Sequence, residues 1–280
     1  FIKACREYAQ SQVDKQRNDF IRLGVLGDWE NPYLSLNKSF EADTVRALGR
    51  IIANGHLEQG EKPVHFCMDC RSALAEAEVE YMDKKSHSID VKFKVLPQYL
   101  ESLCSSFQVD KTDEVYFVIW TTTPWTIPSN VAVCIHEDIE YVFAKGNNNY
   151  FIVAKDLIVE CSDRWGFELE ILGSAFGKEI TDIAMSHPLY KRESRLLHGN
   201  HVTTESGTGC VHTAPAHGLD DYFICIKNNL ESVRALDNRG IFKEEYGPLS
   251  GLSTKKGDPI VIELLQKNNA LLAHEEYDHS

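Results

Sequence analysis

Along the chain, apolar positions first recur at helical spacing and later gather into short runs. Within residues 1–60, Ala4, Tyr8 and Val13 fall at roughly helical spacing while charged residues fill the other faces, and Gly24 is placed to end the segment. "SLNKSFEADTVRALGRIIANGHL" repeats the pattern, with Val45, Leu48 and Ile52 on one face, Ser39 or Asn37 as N-cap and Gly55 as the stop. From about residue 88 the texture turns β-rich: "IDVKFKV", "VYFVIWTTT", "VAVCI", "EYVFAK", "YFIVAKDLIVEC", "FELEIL" and "HVTTESGTGCVHT" are separated by Asn, Gly, Asp or Pro. Many short strands without regularly interleaved helices predict an α+β chain with a closed or nearly closed β-barrel. Two helices are expected to decorate it, one after Asp220 and one at "DPIVIELLQKNNALL". The expected divisions are a helical segment at 1–60, a connector at 61–87 holding Cys67 and Cys70, and the barrel at 88–277.

Composition narrows the class. The 280 residues are 43% hydrophobic and 25% charged, ordinary for a globular protein. The most apolar run, Val115 to Trp120, falls far short of the roughly 20 residues of a membrane-spanning helix, so no membrane partner is expected. "FIKACREYAQ" has no initiator Met and none of the regions of a signal peptide, and is expected to continue from an upstream part. Eight cysteines are too few for a disulfide scaffold of this length; only Cys67 and Cys70 are closely spaced, and the others read as small buried hydrophobes in a reducing cytoplasm. The formal net charge of −13 argues against non-specific coating of nucleic-acid backbone. It leaves room for a pocket that takes only a strand end, and local basic clusters exist at "YKRESR" and at Lys84 and Lys85.

"VYFVIWTTTPWTIPSN" runs an apolar strand into a crowd of hydroxyls. Alternation along a strand sets Thr121 and Thr123 against Thr122, and Pro124 and Pro128 force the chain out of the sheet within the motif. The threonines therefore sit at a strand end, either capping loose backbone groups or presenting donors and acceptors to a ligand. The second dense cluster is "SGTGCVHTAPAHGLDDY". Gly207 and Gly209 permit close backbone approach, Pro215 stops a continuous helix, and Asp220 and Asp221 fall near a helix start. His212 and His217 lie five apart with Pro215 between them, unlike the i, i+4 pair of a metalloprotease helix, and neither a Walker loop nor a dinucleotide fingerprint is present. A pocket that recognises an amine or hydrolyses an ester is the third reading, with Asp221 available to an ammonium. The alternative is an N-cap for Asp220 and a solvated first-turn acid for Asp221. No Gly-x-Ser-x-Gly elbow occurs, so activated water suits hydrolysis better than a covalent nucleophile. Cys67-x-x-Cys70 is half of a structural zinc site without a second pair, and no bound metal is expected.

Together "RLGVLGDWENPYLSL", "HFCMDCRSALAEAEVEY", "TTTPWTIPSN" and "SGTGCVHTAPAHGLDDY" resemble consecutive blocks of bacterial-type isoleucyl-tRNA synthetases across essentially the whole chain. Thr123 and Trp125 follow that family's pattern where the valyl and leucyl relatives carry an Arg in the threonine-rich strand. The class I His-x-Gly-His and Lys-Met-Ser-Lys-Ser signatures are absent from this sequence.

The resemblance implies an inserted connective-peptide editing domain that hydrolyses Val-tRNA(Ile) at the tRNA 3′-terminal adenosine. It implies that Asp221 binds the α-ammonium, that Thr121, Thr122 and Thr123 contact substrate or water, and that Trp125 shapes the wall. His212 is to exclude isoleucine, with Thr126, His217 and Gly209 as further substrate-binding positions. Editing itself needs no cofactor; ATP, Mg and Zn belong to the full-length enzyme, the other half of the Cys67 and Cys70 site lying outside this sequence. The expected partners are the tRNA(Ile) 3′ end and valyl or isoleucyl esters, met by a cytoplasmic monomer. The alternative is a module that binds the aminoacylated adenosine end without turnover.

Overall fold

The computed structural model describes residues 1–80 and 82–279, with Lys84 and residues 277–279 given by backbone alone. The chain divides into two compact units, Phe1–Glu61 and Lys62–Ser280. The first holds α1 (Ile2–Arg22) and α2 (Lys38–Ala53). Asn37 is the N-cap of α2, and Gly24 and Gly55 follow the two helices at φ of +75°, the left-handed backbone that ends a helix cheaply in glycine. No residue of either helix is buried; Leu48, Ile51 and Ile52 are each close to half exposed.

The second unit opens with a hairpin of β1 (Phe66–Cys67) and β2 (Ser72–Ala73). The main sheet follows: β3 (Lys84–Val95), α3 (Leu100–Ser106), β4 (Tyr116–Thr121), β5 (Ala132–Ile135), β6 (Glu140–Gly146), β7 (Asn149–Ala154), α4 (Ile158–Trp165), β8 (Glu170–Phe176), β9 (Ala184–Ser186), β10 (Glu193–His198), β11 (Val211–Thr213), α5 (Leu219–Lys227), α6 (Thr254–Lys267) and β12 (Leu271–His279). Ten strands pair in the order β11-β5-β10-β9-β3-β4-β7-β6-β8, with β12 on β3. The sheet is mixed, since β10 runs parallel to β5 and β4 parallel to β7.

The α+β expectation holds, but the barrel does not close. Among the described residues no ladder joins the terminal strands β11 and β8. Gly207 and Gly209, at φ of +87° and +76°, curl the chain before β11, and Pro215 follows closely, so only three residues of "HVTTESGTGCVHT" form a strand. Thr208 instead bridges β4 and β7, donating its hydroxyl to the Val118 carbonyl at 2.6 Å and accepting the Ala154 N–H on its own carbonyl at 2.8 Å. A second correction concerns "YFIVAKDLIVEC". Only its first half is strand β7; beyond Ala154, Leu157, Cys161 and Trp165 recur every four residues, are buried on one face, and make the run helical through α4.

Residues 116–119 of β4 and 151–154 of β7 are buried on both faces, as their continuous apolar runs require of strands covered on two sides. One polar pair crosses this core. Arg164 donates its Nε and Nη2 to the two oxygens of Asp90 at 2.8 Å each, and Nη2 also reaches the Gly207 carbonyl at 2.9 Å. The pair ties α4 and β3 to the glycine loop that leads into β11.

Removing one partner of a buried pair leaves the other charge uncompensated, so Asp90→Ala is expected to lower stability by about 3–5 kcal/mol. Glu140→Ala, which breaks the exposed Lys155–Glu140 pair, should cost less than about 1 kcal/mol. Urea unfolding of the two variants checks this; similar midpoints would contradict it.

Candidate functional site

The strand β4 ends at Thr121, and the prolines turn the chain into a 3-10 helix, Pro124–Ser129. Thr121, Thr122 and Thr123 are all half-buried. The Thr121 hydroxyl oxygen accepts the Thr123 N–H at 3.1 Å, and the two hydroxyls lie 3.1 Å apart. Capping and presentation therefore coexist: one hydroxyl can donate to the other, which leaves the second hydrogen for the Thr126 oxygen or for a ligand. Thr122, on the opposite side of the strand, makes no side-chain hydrogen bond among the described residues.

Behind the threonines runs a buried chain of hydrogen bonds whose polarity can be read off. Asn130, fully buried, points its Nδ2 at the Ala132 carbonyl, 2.7 Å away, which fixes that end of the amide as the donor. The same Nδ2 donates to His212 Nδ1 at 2.8 Å, and Oδ1 accepts the Ser194 hydroxyl at 2.7 Å. His212 Nδ1 is thus an acceptor, the ring proton resides on Nε2, and Nε2–H donates to Thr126 Oγ1 at 2.9 Å. Thr126 passes its own hydrogen to the Thr123 carbonyl at 2.8 Å, and its oxygen lies 3.5 Å from the Thr123 hydroxyl. Burial, with His217 as a lesser cause, pushes His212 down to about 3, so the ring stays neutral.

His217 stacks edge-on against Trp125, their ring centroids 4.8 Å apart, and its Nε2 is 2.9 Å from the Ser129 hydroxyl. Burial pushes it down to about 4. The Trp125 backbone N–H is held by Asp258 at 2.8 Å. Gly218, not Asp220, is the N-cap of α5, and Asp220 is an exposed first-turn residue. Asp221 instead turns inward and accepts the Ala214 N–H at 2.8 Å, clamping the 214–218 loop to the helix. Burial raises its pKa, opposed by that N–H and by His201.

The fold thus gathers Thr121, Thr123, Thr126 and His212 on one hydrogen-bonded line, seats Trp125 against His217, and anchors Asp221 to the same loop, two residues past His212. Gly209 is used in packing: a Cβ there would lie 2.3 Å from the Ala154 Cβ, and its carbonyl accepts the Tyr141 hydroxyl at 2.7 Å. Cys67 and Cys70 share the turn of the β1–β2 hairpin, where the Cys70 N–H donates to Cys67 Sγ at 3.2 Å. Among the described residues no three His, Cys, Asp or Glu side chains are grouped to hold a metal ion, and no helix is long and apolar enough to cross a membrane.

Asn130, Ser129 and Ser194 join the site without having been singled out in the sequence. The signal for Asn130 was present: a polar residue directly before "VAVCI" that must be buried needs partners. Ser194 and His212 come from strands on either side of β5, a proximity that only the sheet order reveals.

The chain has counterparts among known proteins. An isoleucine-tRNA ligase of Legionella pneumophila (strain Paris) is 47% identical over 281 residues, covering 100% of this chain and 30% of that protein. The isoleucine-tRNA ligase of Pasteurella multocida (strain Pm70) is 46% identical over 283 residues with the same coverage. The chain spans about 30% of the length of these relatives. In fold it resembles GlLeuRS-CP1, with a TM-score of 0.55 at 17% identity over 69% of this chain and 100% of that one. It also resembles the P. falciparum cytosolic leucyl-tRNA synthetase editing domain, with a TM-score of 0.52 at 12% identity over 69% of this chain and 99% of that one. The family described as class I tRNA synthetases (I, L, M and V) matches residues 1–227, and the chain belongs to that family.

Proposed function

We propose that this chain carries a hydrolytic editing site that cleaves valine from mischarged tRNA(Ile). The observation that carries the reading is the half-buried threonine turn backed by neutral His212, with an inward-facing carboxylate, Asp221 of α5, bonded to the loop that follows His212. Relatives that are isoleucine-tRNA ligases and fold neighbours that are leucyl-tRNA synthetase editing domains support it.

An aminoacyl ester offers an α-ammonium, an ester carbonyl and a ribose with a free hydroxyl. Asp221 answers the ammonium through a charge-assisted hydrogen bond, stronger for being partly desolvated. The free O–H of the Thr121–Thr123 pair orients the carbonyl or the attacking water. His212 cannot serve as general base: both its nitrogens are committed, and a pKa of about 3 gives it negligible basicity near neutrality. Its role is a rigid wall that admits a valyl group and blocks the extra methylene of isoleucyl. Such a second pocket is needed because one methylene is worth only about 1–3 kcal/mol to a synthetic site, a rule whose own worked example is the isoleucyl enzyme. Catalysis then rests on positioning, with the ribose hydroxyl assisting the water. Cys67 and Cys70 supply two sulfur donors on one turn, which fits half of a tetrahedral zinc site.

Incubated with Val-tRNA(Ile) and Ile-tRNA(Ile), the chain is expected to hydrolyse the first and spare the second; equal or background rates on both would overturn the reading. Binding of a non-hydrolysable valyl-adenosine analogue without turnover would favour a binding module instead. Asp221→Asn should cost about 10- to 100-fold in kcat/KM, the worth of a hydrogen bond to a charged group. His212→Ala should extend hydrolysis to Ile-tRNA(Ile), while unchanged discrimination would remove the size-filter role. The neutral histidines also set a pH dependence. Their folded pKa values are depressed from 6.5 to about 3 and about 4, so the unfolded chain takes up protons first. Their stabilising contribution is complete above pH 6.5 and is lost as the pH falls toward 4 for His217 and toward 3 for His212, at about 1.4 kcal/mol per pH unit for each histidine. Urea unfolding at stepped pH reads the slope, which His217→Gln should reduce.

A further inference from the structure

Of the two basic clusters in the sequence, one gives a single member to the fold, while its Lys191 and Arg195 are exposed. Arg192 of "YKRESR" turns inward, donating to the Asn130 carbonyl at 3.1 Å and to the Pro128 carbonyl, with its guanidinium carbon 5.5 Å from the centre of the Tyr190 ring. Its charge holds the turn that carries Thr126 and Asn130. The other cluster lies elsewhere. Lys85 lines an open cleft of about 270 Å³ together with Ser86, His87, Lys255, Asp258 and Glu276.

The cleft adjoins the threonine turn on two sides. One wall is β3, whose Ile89 pairs with Thr121 at the end of β4. At about 3.3–3.4 Å per residue, Ser86 lies about 10 Å further along that strand. The other wall is the start of α6, from which Asp258 reaches the Trp125 N–H at 2.8 Å.

The cleft sets the ammonium groups of Lys85 and Lys255 beside the carboxylates of Asp258 and Glu276. Asp258 is already engaged by the Trp125 backbone. Lys85 and Glu276 stand 3.9 Å apart with side chains 70% and 72% exposed, a pair that solvent screens. Lys255 and Lys256 occupy the first turn of α6, which has no acid, although the helix dipole disfavours cations there. A chain of net charge −13 thus gathers ammonium groups from two separate elements beside its hydroxyl-rich turn. His87 on the strand wall is taken by His274, whose Nε2 is 3.0 Å from its Nδ1.

We propose that Lys85 and Lys255 grip the phosphate backbone of the RNA strand that leads to the acylated adenosine. This rests on the editing reading and adds the path by which the strand reaches the threonines. Ammonium groups on flexible stems hold phosphate as point charges and release counterions, so the contact depends on salt rather than on base identity.

The test compares the chain with its Lys85→Glu/Lys255→Glu variant on two substrates, Val-tRNA(Ile) and 3′-valyl-adenosine, which has no phosphate. The variant is expected to lose roughly tenfold or more in kcat/KM on the tRNA, with a salt slope shallower by about 1.4 for two single-strand phosphates. Hydrolysis of valyl-adenosine should be unchanged, and Lys85→Arg/Lys255→Arg should restore the tRNA rate. Equal losses on both substrates, or no loss on the tRNA, would overturn the proposal. Should the unmodified chain hydrolyse neither ester, the editing reading fails while the strand path is still measured. Fluorescence anisotropy of an uncharged RNA hairpin with the tRNA acceptor sequence then reads binding directly, and equal affinities of parent and Glu variant would sink the grip.

Discussion

A buried imidazole must be neutral, and a neutral imidazole is one donor and one acceptor. That constraint at His212 orders much of what surrounds it. Its acceptor nitrogen requires an amide donor, so Asn130 has to be buried with it; its donor nitrogen requires an oxygen, so the 3-10 turn must bring Thr126 alongside. Asn130 in turn needs Ser194 from β10 and the Ala132 carbonyl from β5. Three strands and a turn are therefore locked into one register by the hydrogen-bond needs of a single ring. In a low-dielectric interior a partly satisfied network is costly, which makes this arrangement a strong selector of one conformation.

The reading of the sequence succeeded where chemistry is local. Prolines that cannot join a ladder ended β4 where expected, alternation put Thr121 with Thr123, and Asn37 with Gly24 and Gly55 marked the helix ends. It failed where tertiary burial overrides a local pattern. The run "KDLIVEC" is as apolar as a strand, yet the four-residue recurrence of Leu157, Cys161 and Trp165 makes it a helix. The closed barrel failed because two positive-φ glycines leave β11 three residues long. Site partners such as Asn130 and Ser194 are separated by 64 positions, so no sequence window could join them.

The acids tell a related story. Asp90 and Asp221 both sit in sheltered places, and each is answered differently. Asp90 receives a bidentate guanidinium and stabilises the core. Asp221 receives one backbone N–H, and burial still raises its pKa, so its carboxylate is the less compensated of the two. A desolvated carboxylate with incomplete compensation is suited to meeting a cation from outside.

The pairing of β12 with β3 has a mechanical consequence. Their register runs from Leu271 opposite Val91 to His279 opposite Lys84, antiparallel throughout. The sheet is thus entered by β3 and left by β12 along one two-stranded ribbon. Because Ile89 and Val91 of that ribbon also pair with Thr121 and Ile119 of β4, the ribbon runs directly into the strand whose end carries the threonine turn.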